Sequence, residues 1–263
     1  ECVVAVYIFE ESRFNNKKEA QRWWLYHSLK DLENSLKQFN IKLEIIKGNP
    51  LEVFENFNEN ENISVYWDRV YEPNLLENDK LIGKKLEEKN INYKTFKGNM
   101  LNEFWEVTKP SGDPYSVFTH FWRISQNIYI KKKPLKHEKI TKLKSPIEFF
   151  DNLIQPKDIL PKKNWYKKFE KYWIPTEKQA HILLKNFIQL KIDSYEDLRN
   201  YPAIDGTSKL SAYINNGQIS VQRVWEECMK SSKKSLGVQK YLDEIGWREF
   251  SYSLINYFPH MLK

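Results

Sequence analysis

Apolar positions along the chain change period several times, and each change marks an element. Residues 3–9 are an unbroken β-branched and aromatic run, as in a buried strand. Across 20–39, Leu25, Leu29, Leu32, Leu36 and Phe39 share one helical stripe. Ile41, Leu43 and Ile45 then alternate as in a strand, which Gly48 ends. Leu51, Phe54 and Phe57 predict a short helix, and residues 63–67 a further strand. A helix over 75–88 leads to a strand at 93–96, and Val117, Phe121, Ile124 and Ile128 give a closing helix. Strand and helix in alternation predict a parallel, Rossmann-like α/β sheet covered on both faces.

Past residue 174 the pattern is helical. Ala180, Leu183, Leu184 and Phe187 mark one helix, and Val221, Val224, Trp225 and Cys228 another. Residues 238–258 are apolar nearly all round, which predicts a buried helix. No strand alternation and no internal repeat is evident. The expected division is an α/β domain over 1–130, a connector over 131–174 and an all-helical domain over 175–263.

Composition narrows the class. The chain has 263 residues, long enough for two packed units, and 41% of them are hydrophobic, which excludes a mostly disordered chain. The apolar run from Cys2 to Phe9 falls far short of the roughly 18 residues that span a bilayer. No basic-then-apolar leader opens the chain. Cys2 and Cys228 are too few and too far apart for a disulfide frame or zinc site, and the five His show no paired ligand spacing. The expectation is a soluble, cytoplasmic monomer without a metal. The chain opens on Glu1 and closes just after a patterned helix, so it reads as an internal fragment.

The net charge of +7 is concentrated. Residues 131–174 hold thirteen Lys against five acidic residues. A nucleic-acid groove is one reading. Pro134, Pro146, Pro156 and Pro161 interrupt the segment, and favour a solvated spacer held extended by charge and proline.

Candidate chemistry lies further on. Gly206-Thr207-Ser208 is a tight turn followed by hydroxyls at a helix start. Such a turn suits either an ordinary N-cap or a phosphate held by hydroxyls and backbone N–H groups. Trp247 read locally is a core residue, and Glu244 with Arg248 an i,i+4 ion pair.

The wider run resembles a known family. Residues 195–220, with Gly206-Thr207-Ser208-Lys209-Leu210-Ser211 at their centre, and then Glu244-Ile245-Gly246-Trp247-Arg248-Glu249-Phe250 are similar to the flavin-binding region of DNA photolyases and cryptochromes. Upstream, Trp23-Trp24-Leu25-Tyr26-His27, Trp67-Asp68-Arg69-Val70-Tyr71-Glu72-Pro73 and Val117-Phe118-Thr119-His120-Phe121-Trp122 look like the family's α/β domain. The resemblance covers nearly the whole chain and looks closest to bacterial enzymes that repair cyclobutane pyrimidine dimers. It implies that the family's first strand would precede Glu1. It also implies that the helices facing the flavin ring would follow Lys263, leaving the FAD-binding domain incomplete.

The resemblance implies an FAD cofactor. Tyr195 matches a flavin-phosphate contact, and Thr207, Ser208, Lys209, Leu210 and Ser211 the phosphate loop. Lys209 stands where the family usually has Arg, which keeps the charge and loses the planar fork. Tyr241 falls where some members place a Trp near the flavin. Arg199 matches a DNA-phosphate contact, and Ser251 falls on the same DNA-binding face. Glu244, Trp247 and Arg248 match the group facing the lesion. The indole would stack on a flipped base, the carboxyl would bond its edge and the guanidinium would hold a flanking phosphate. A second, antenna chromophore is also implied. Leu75 replaces the acid of the Asn-Glu pair that holds folate in some members, which weighs against folate and leaves a deazaflavin or another flavin open. The implied activity is light-driven splitting of pyrimidine dimers in UV-damaged DNA. A cryptochrome-type receptor without repair is the alternative, and a nucleotide-binding module joined to a helical interaction domain is the reading that sets the family aside.

Overall fold

The computed structural model describes residues 2–14, 18–55, 63–130, 143–144, 149–150, 152–231 and 235–262. Lys131, Lys132 and Lys133, and with them much of the Lys-rich connector, lie outside the described residues. The regular elements run in order β1 (Val4–Phe9), α1 (Glu19–Lys37), β2 (Lys42–Lys47), α2 (Pro50–Glu55), β3 (Ser64–Asp68), α3 (Pro73–Glu88), β4 (Asn92–Phe96) and α4 (Phe118–Ile130). Helices α5 (Glu177–Leu190), α6 (Tyr195–Leu198), α7 (Ser211–Asn215), α8 (Val221–Lys230) and α9 (Leu236–Tyr257) follow. Among the described residues no strand occurs after β4, as the helical period predicts. The long apolar segment is one helix, α9, with nine buried residues.

Two compact units form, and they group the chain differently from the expected linear division. One holds Glu1–Asn58 with Lys136–Ala180, the other Glu59–Leu135 with His181–Lys263. In the first, β1 pairs parallel with β2 in the register Val4↔Lys42 to Phe9↔Lys47, and α1 makes the crossover. Leu25 and Leu29 of α1 pack with Phe9, Ile45 and Ile159. Ile159 comes from the segment expected to be a solvated spacer, yet it is 0% exposed. This part of the connector therefore departs from the expectation. Its few apolar residues were too sparse to show a period, while its backbone docks on β2, with the Ile154 N–H donating to the Ile45 carbonyl at 2.8 Å. The Phe149 and Phe150 N–H groups also donate to the buried Glu44 carboxylate, at 3.1–3.2 Å.

In the second unit β3 pairs parallel with β4, Ser64↔Asn92 to Asp68↔Phe96, and α3 makes the crossover. The turn after β4 then ties this strand pair to the helices. Leu101 N–H donates to Glu249 Oε2 of α9 at 2.8 Å, Asn102 Nδ2 donates to Ser125 of α4, and Asn99 Oδ1 accepts the Val221 N–H of α8 at 3.0 Å. Helix α4 lies along α9, where Trp122 Nε1 donates to Asp243 Oδ1 at 2.9 Å. The Trp122 indole sits so close to Gly246 that a Cβ there would stand 2.5 Å from the ring.

Gly237 has a sharper demand, because a Cβ would run into the Ile192 carbonyl oxygen, which is backbone and cannot rotate away. Gly237→Ala gains helix propensity of about 1 kcal/mol, but overpacking costs about 1–3 kcal/mol. With an unyielding neighbour, we expect a net loss of about 1–2 kcal/mol, measured as a lower denaturation midpoint.

Candidate flavin and DNA site

Helix α9 carries one candidate cluster on its buried side and another on its exposed side. On the buried side, Tyr241 packs against Phe187 of α5, ring centroids 4.5 Å apart, and edge-on against Tyr195 of α6 at 5.2 Å. Burial drives the Tyr241 phenol well above its ordinary pKa, so it stays protonated and donates to Ser208 Oγ at 3.0 Å. The loop following α6 is drawn tight at Gly206, where a Cβ would fall 2.6 Å from Leu198 Cβ. Ser208 Oγ also accepts the Leu210 N–H at 3.4 Å, and Leu210 anchors the loop in the core. Thr207, Lys209 and Ser211 are exposed.

Lys209 has φ +56°, a left-handed conformation that side chains with a Cβ rarely adopt. Its ammonium pairs with Asp205 at 2.9 Å, and Lys191 reaches the other oxygen of the same carboxylate at 2.6 Å. Hydrogen bonds from Lys191 and then Lys209 hold the Asp205 carboxyl below its ordinary range. The loop thus gathers two cations against one anion, beside exposed hydroxyls. Cations and hydroxyls on one loop are donor types that suit a diphosphate, while Gly206 serves close packing, since Leu198 fills the place of its Cβ.

On the exposed side, Trp247 is 48% exposed rather than buried. One face of its indole is covered by Phe118 of α4, centroids 3.8 Å apart and planes 8° from parallel. Glu244, three residues earlier, does not pair with Arg248. It forms an ion pair with Arg199, just past α6, whose guanidinium also lies 5.8 Å over the Tyr195 ring. Arg248 instead pairs with the buried Glu249 at 3.0 Å and lies 5.0 Å over Tyr252. Ser251 Oγ donates to the Trp247 carbonyl at 2.8 Å. Burial pushes the Glu249 carboxyl up to about 7, against the opposing pull of Arg248 and the N–H groups of Leu101 and Asn102.

The structure therefore brings Tyr195, Ser208 and Tyr241 together and pairs Arg199 with Glu244, with Tyr195 touching both groups, while Trp247 packs with Phe118 and Phe250. Arg248 stands apart with Glu249. Phe118, Asp205 and Lys191 were missed as site residues. Phe118 belongs to the upstream run over residues 117–122, but nothing local links it to a helix more than a hundred residues later. Among the described residues no group of His, Cys, Asp and Glu is arranged to hold a metal ion, and no helix is long and apolar enough to cross a membrane. Leu75, half-buried in the first turn of α3, supplies no carboxylate beside the exposed Asn74.

The family model for DNA photolyase matches residues 1–139. The deoxyribodipyrimidine photo-lyase of Agrobacterium fabrum is 33% identical, over 98% of this chain and 54% of its own length. Cryptochrome-2 of Arabidopsis thaliana is 26% identical, over 95% of this chain and 43% of its own. The crystal structure of a bacterial class III photolyase from Agrobacterium tumefaciens superposes with a TM-score of 0.85 at 30% identity, covering 98% of this chain and 54% of that one. The chain spans about half the length of the curated relatives it matches.

Proposed function

The chain belongs to the DNA photolyase family, and from that premise we propose that it serves light-dependent repair of DNA, splitting cyclobutane pyrimidine dimers with FAD as cofactor. The observation that carries this reading is Trp247, half-exposed with its indole stacked on Phe118 and edge-on to Phe250, three residues along α9 from Glu244. An exposed indole braced from behind suits an unstacked base, because stacking on an aromatic offsets the stacking lost when a base leaves the duplex.

In this reading Thr207, Ser208 and Ser211 offer hydroxyls, Lys209 its charge and Leu210 its backbone to the FAD diphosphate. Tyr241 holds Ser208 in place from beneath, and Tyr195 supports the loop from α6. Reduced flavin held there would lend one light-excited electron to the dimer and take it back once the cyclobutane ring has opened. The chain's own residues orient the two partners. Glu244 accepts from the base edge, Trp247 stacks, and Arg199 with Arg248 and Ser251 meets the phosphate backbone. Leu75 weighs against folate as the antenna and leaves a deazaflavin or a second flavin. The protein acts as a cytoplasmic monomer, with UV-damaged DNA as its partner.

The test is repair itself. Full-length, flavin-reduced protein under blue light is expected to restore the 260 nm absorbance of a thymine-dimer oligonucleotide, with none restored in the dark. Dimer left intact under light by flavin-loaded protein would overturn the repair reading in favour of a light receptor.

A further inference from the structure

Arg199 and Glu244 come from different elements, and their pairing is tertiary rather than a helical neighbour effect. Their side chains remain 32% and 42% exposed, so the pair lies at the surface, where a ligand can reach it. Glu244 lies three residues before the half-exposed Trp247 on α9. Arg199 has a second contact in the Tyr195 ring, 5.8 Å from its guanidinium.

This inference rests on the repair reading, in which the two side chains have separate targets: the guanidinium a DNA phosphate, the carboxylate the N–H edge of a flipped pyrimidine. While they are hydrogen-bonded to each other, neither is fully available to its target. We infer that Arg199–Glu244 is a selectivity latch. On intact duplex, with no base to receive, Glu244 keeps Arg199 and competes with the phosphate for it. A flipped dimer offers Glu244 a donor, and Arg199 then passes to the backbone. Binding of the lesion and of the phosphate are thereby coupled, and each raises the affinity for the other. Exposed ion pairs contribute about 0.2–1 kcal/mol, so the latch changes intact-DNA affinity by at most about fivefold.

Simple repulsion between the Glu244 carboxylate and DNA phosphates also predicts weaker binding to intact DNA. The two explanations part on whether Arg199 is needed. The experiment titrates full-length, flavin-loaded protein into a fluorescent duplex carrying one thymine dimer and into the same duplex intact. The variants are Glu244→Gln, Glu244→Asp, Arg199→Gln and Glu244→Gln with Arg199→Gln, each checked by thermal melting. Glu244→Gln is expected to bind intact DNA about two- to fivefold tighter, with a narrower preference for the dimer. That gain is expected to vanish in the Arg199→Gln background. Glu244→Asp keeps the charge but shortens the reach to Arg199, and is expected to show part of the same gain. An equal gain with and without Arg199, or no gain in either Glu244 variant, overturns the latch while leaving repair standing. Wild-type protein that does not prefer the dimer duplex overturns the repair reading and the latch with it.

Discussion

Replacing Glu249 by Ala is expected to lower stability by about 1–3 kcal/mol. The carboxylate is 1% exposed in the middle of α9. It accepts the Leu101 N–H at 2.8 Å and pairs with Arg248 at 3.0 Å. Alanine leaves a buried N–H without its acceptor and a partly buried guanidinium without its anion. The same bond fastens the turn after β4 to the helices, so the strand pair should loosen along with α9. Urea unfolding of the Ala variant, followed by tryptophan fluorescence, measures the loss. A change below about 1 kcal/mol would show that the turn is held by Asn99 and Asn102 instead.

The same group gives stability a pH dependence. Burial raises the folded carboxyl to about 7, above its unfolded value. Between roughly pH 4.5 and 7 the folded state therefore binds more protons than the unfolded one. Stability from this group is fully present below the unfolded pKa and falls as pH rises through the folded one. Glu249→Gln, which keeps an oxygen for Leu101 but cannot ionise, is expected to flatten that slope. A slope unchanged by Gln would assign it to other groups.

Much of this architecture is legible in the sequence, because the elements that position the site have strong periods. The all-round apolarity of 238–258 identifies α9 as buried, and the i,i+3 spacing sets Glu244 and Trp247 on one face. What is not legible is the choice among partners. Local spacing offers Glu244 to Arg248, yet Arg248 turns to Glu249 and Tyr252, and Glu244 takes Arg199. Glu249 looks like one more charge on a helix. Only the fold brings Leu101 to it across 148 residues. Ile159 stayed hidden for a different reason: a Lys-rich, proline-broken segment shows no period, and its docking is by backbone bonds to β2. A local rule gives the face a side chain occupies. The partner comes from whichever distant backbone the core has room to bring near.

Trp247→Ala in the full-length, flavin-loaded protein is expected to weaken binding to dimer-containing DNA by about 1–3 kcal/mol, roughly five- to 150-fold. Intact DNA should be nearly unaffected, since the indole has nothing to stack on until a base leaves the duplex. The structure adds a second variant. Phe118 covers one indole face at 3.8 Å, so Phe118→Leu removes the flat brace while keeping an apolar side chain. Its loss on dimer DNA should be smaller than that of Trp247→Ala, because the indole remains but is less well held, and Phe118→Tyr should recover most of it. Because Trp247 is half-exposed, its removal should cost less stability than that of a core tryptophan, and melting run alongside separates recognition from packing. Arg248→Ala is the contrasting case: it strands the buried Glu249 carboxylate, so weaker binding to both DNAs should come with an earlier melt. A normally melting Trp247→Ala protein that loses equally on damaged and intact DNA would defeat the stacking role. Phe118 would then be a packing residue whose parallel rings serve the helix pair alone.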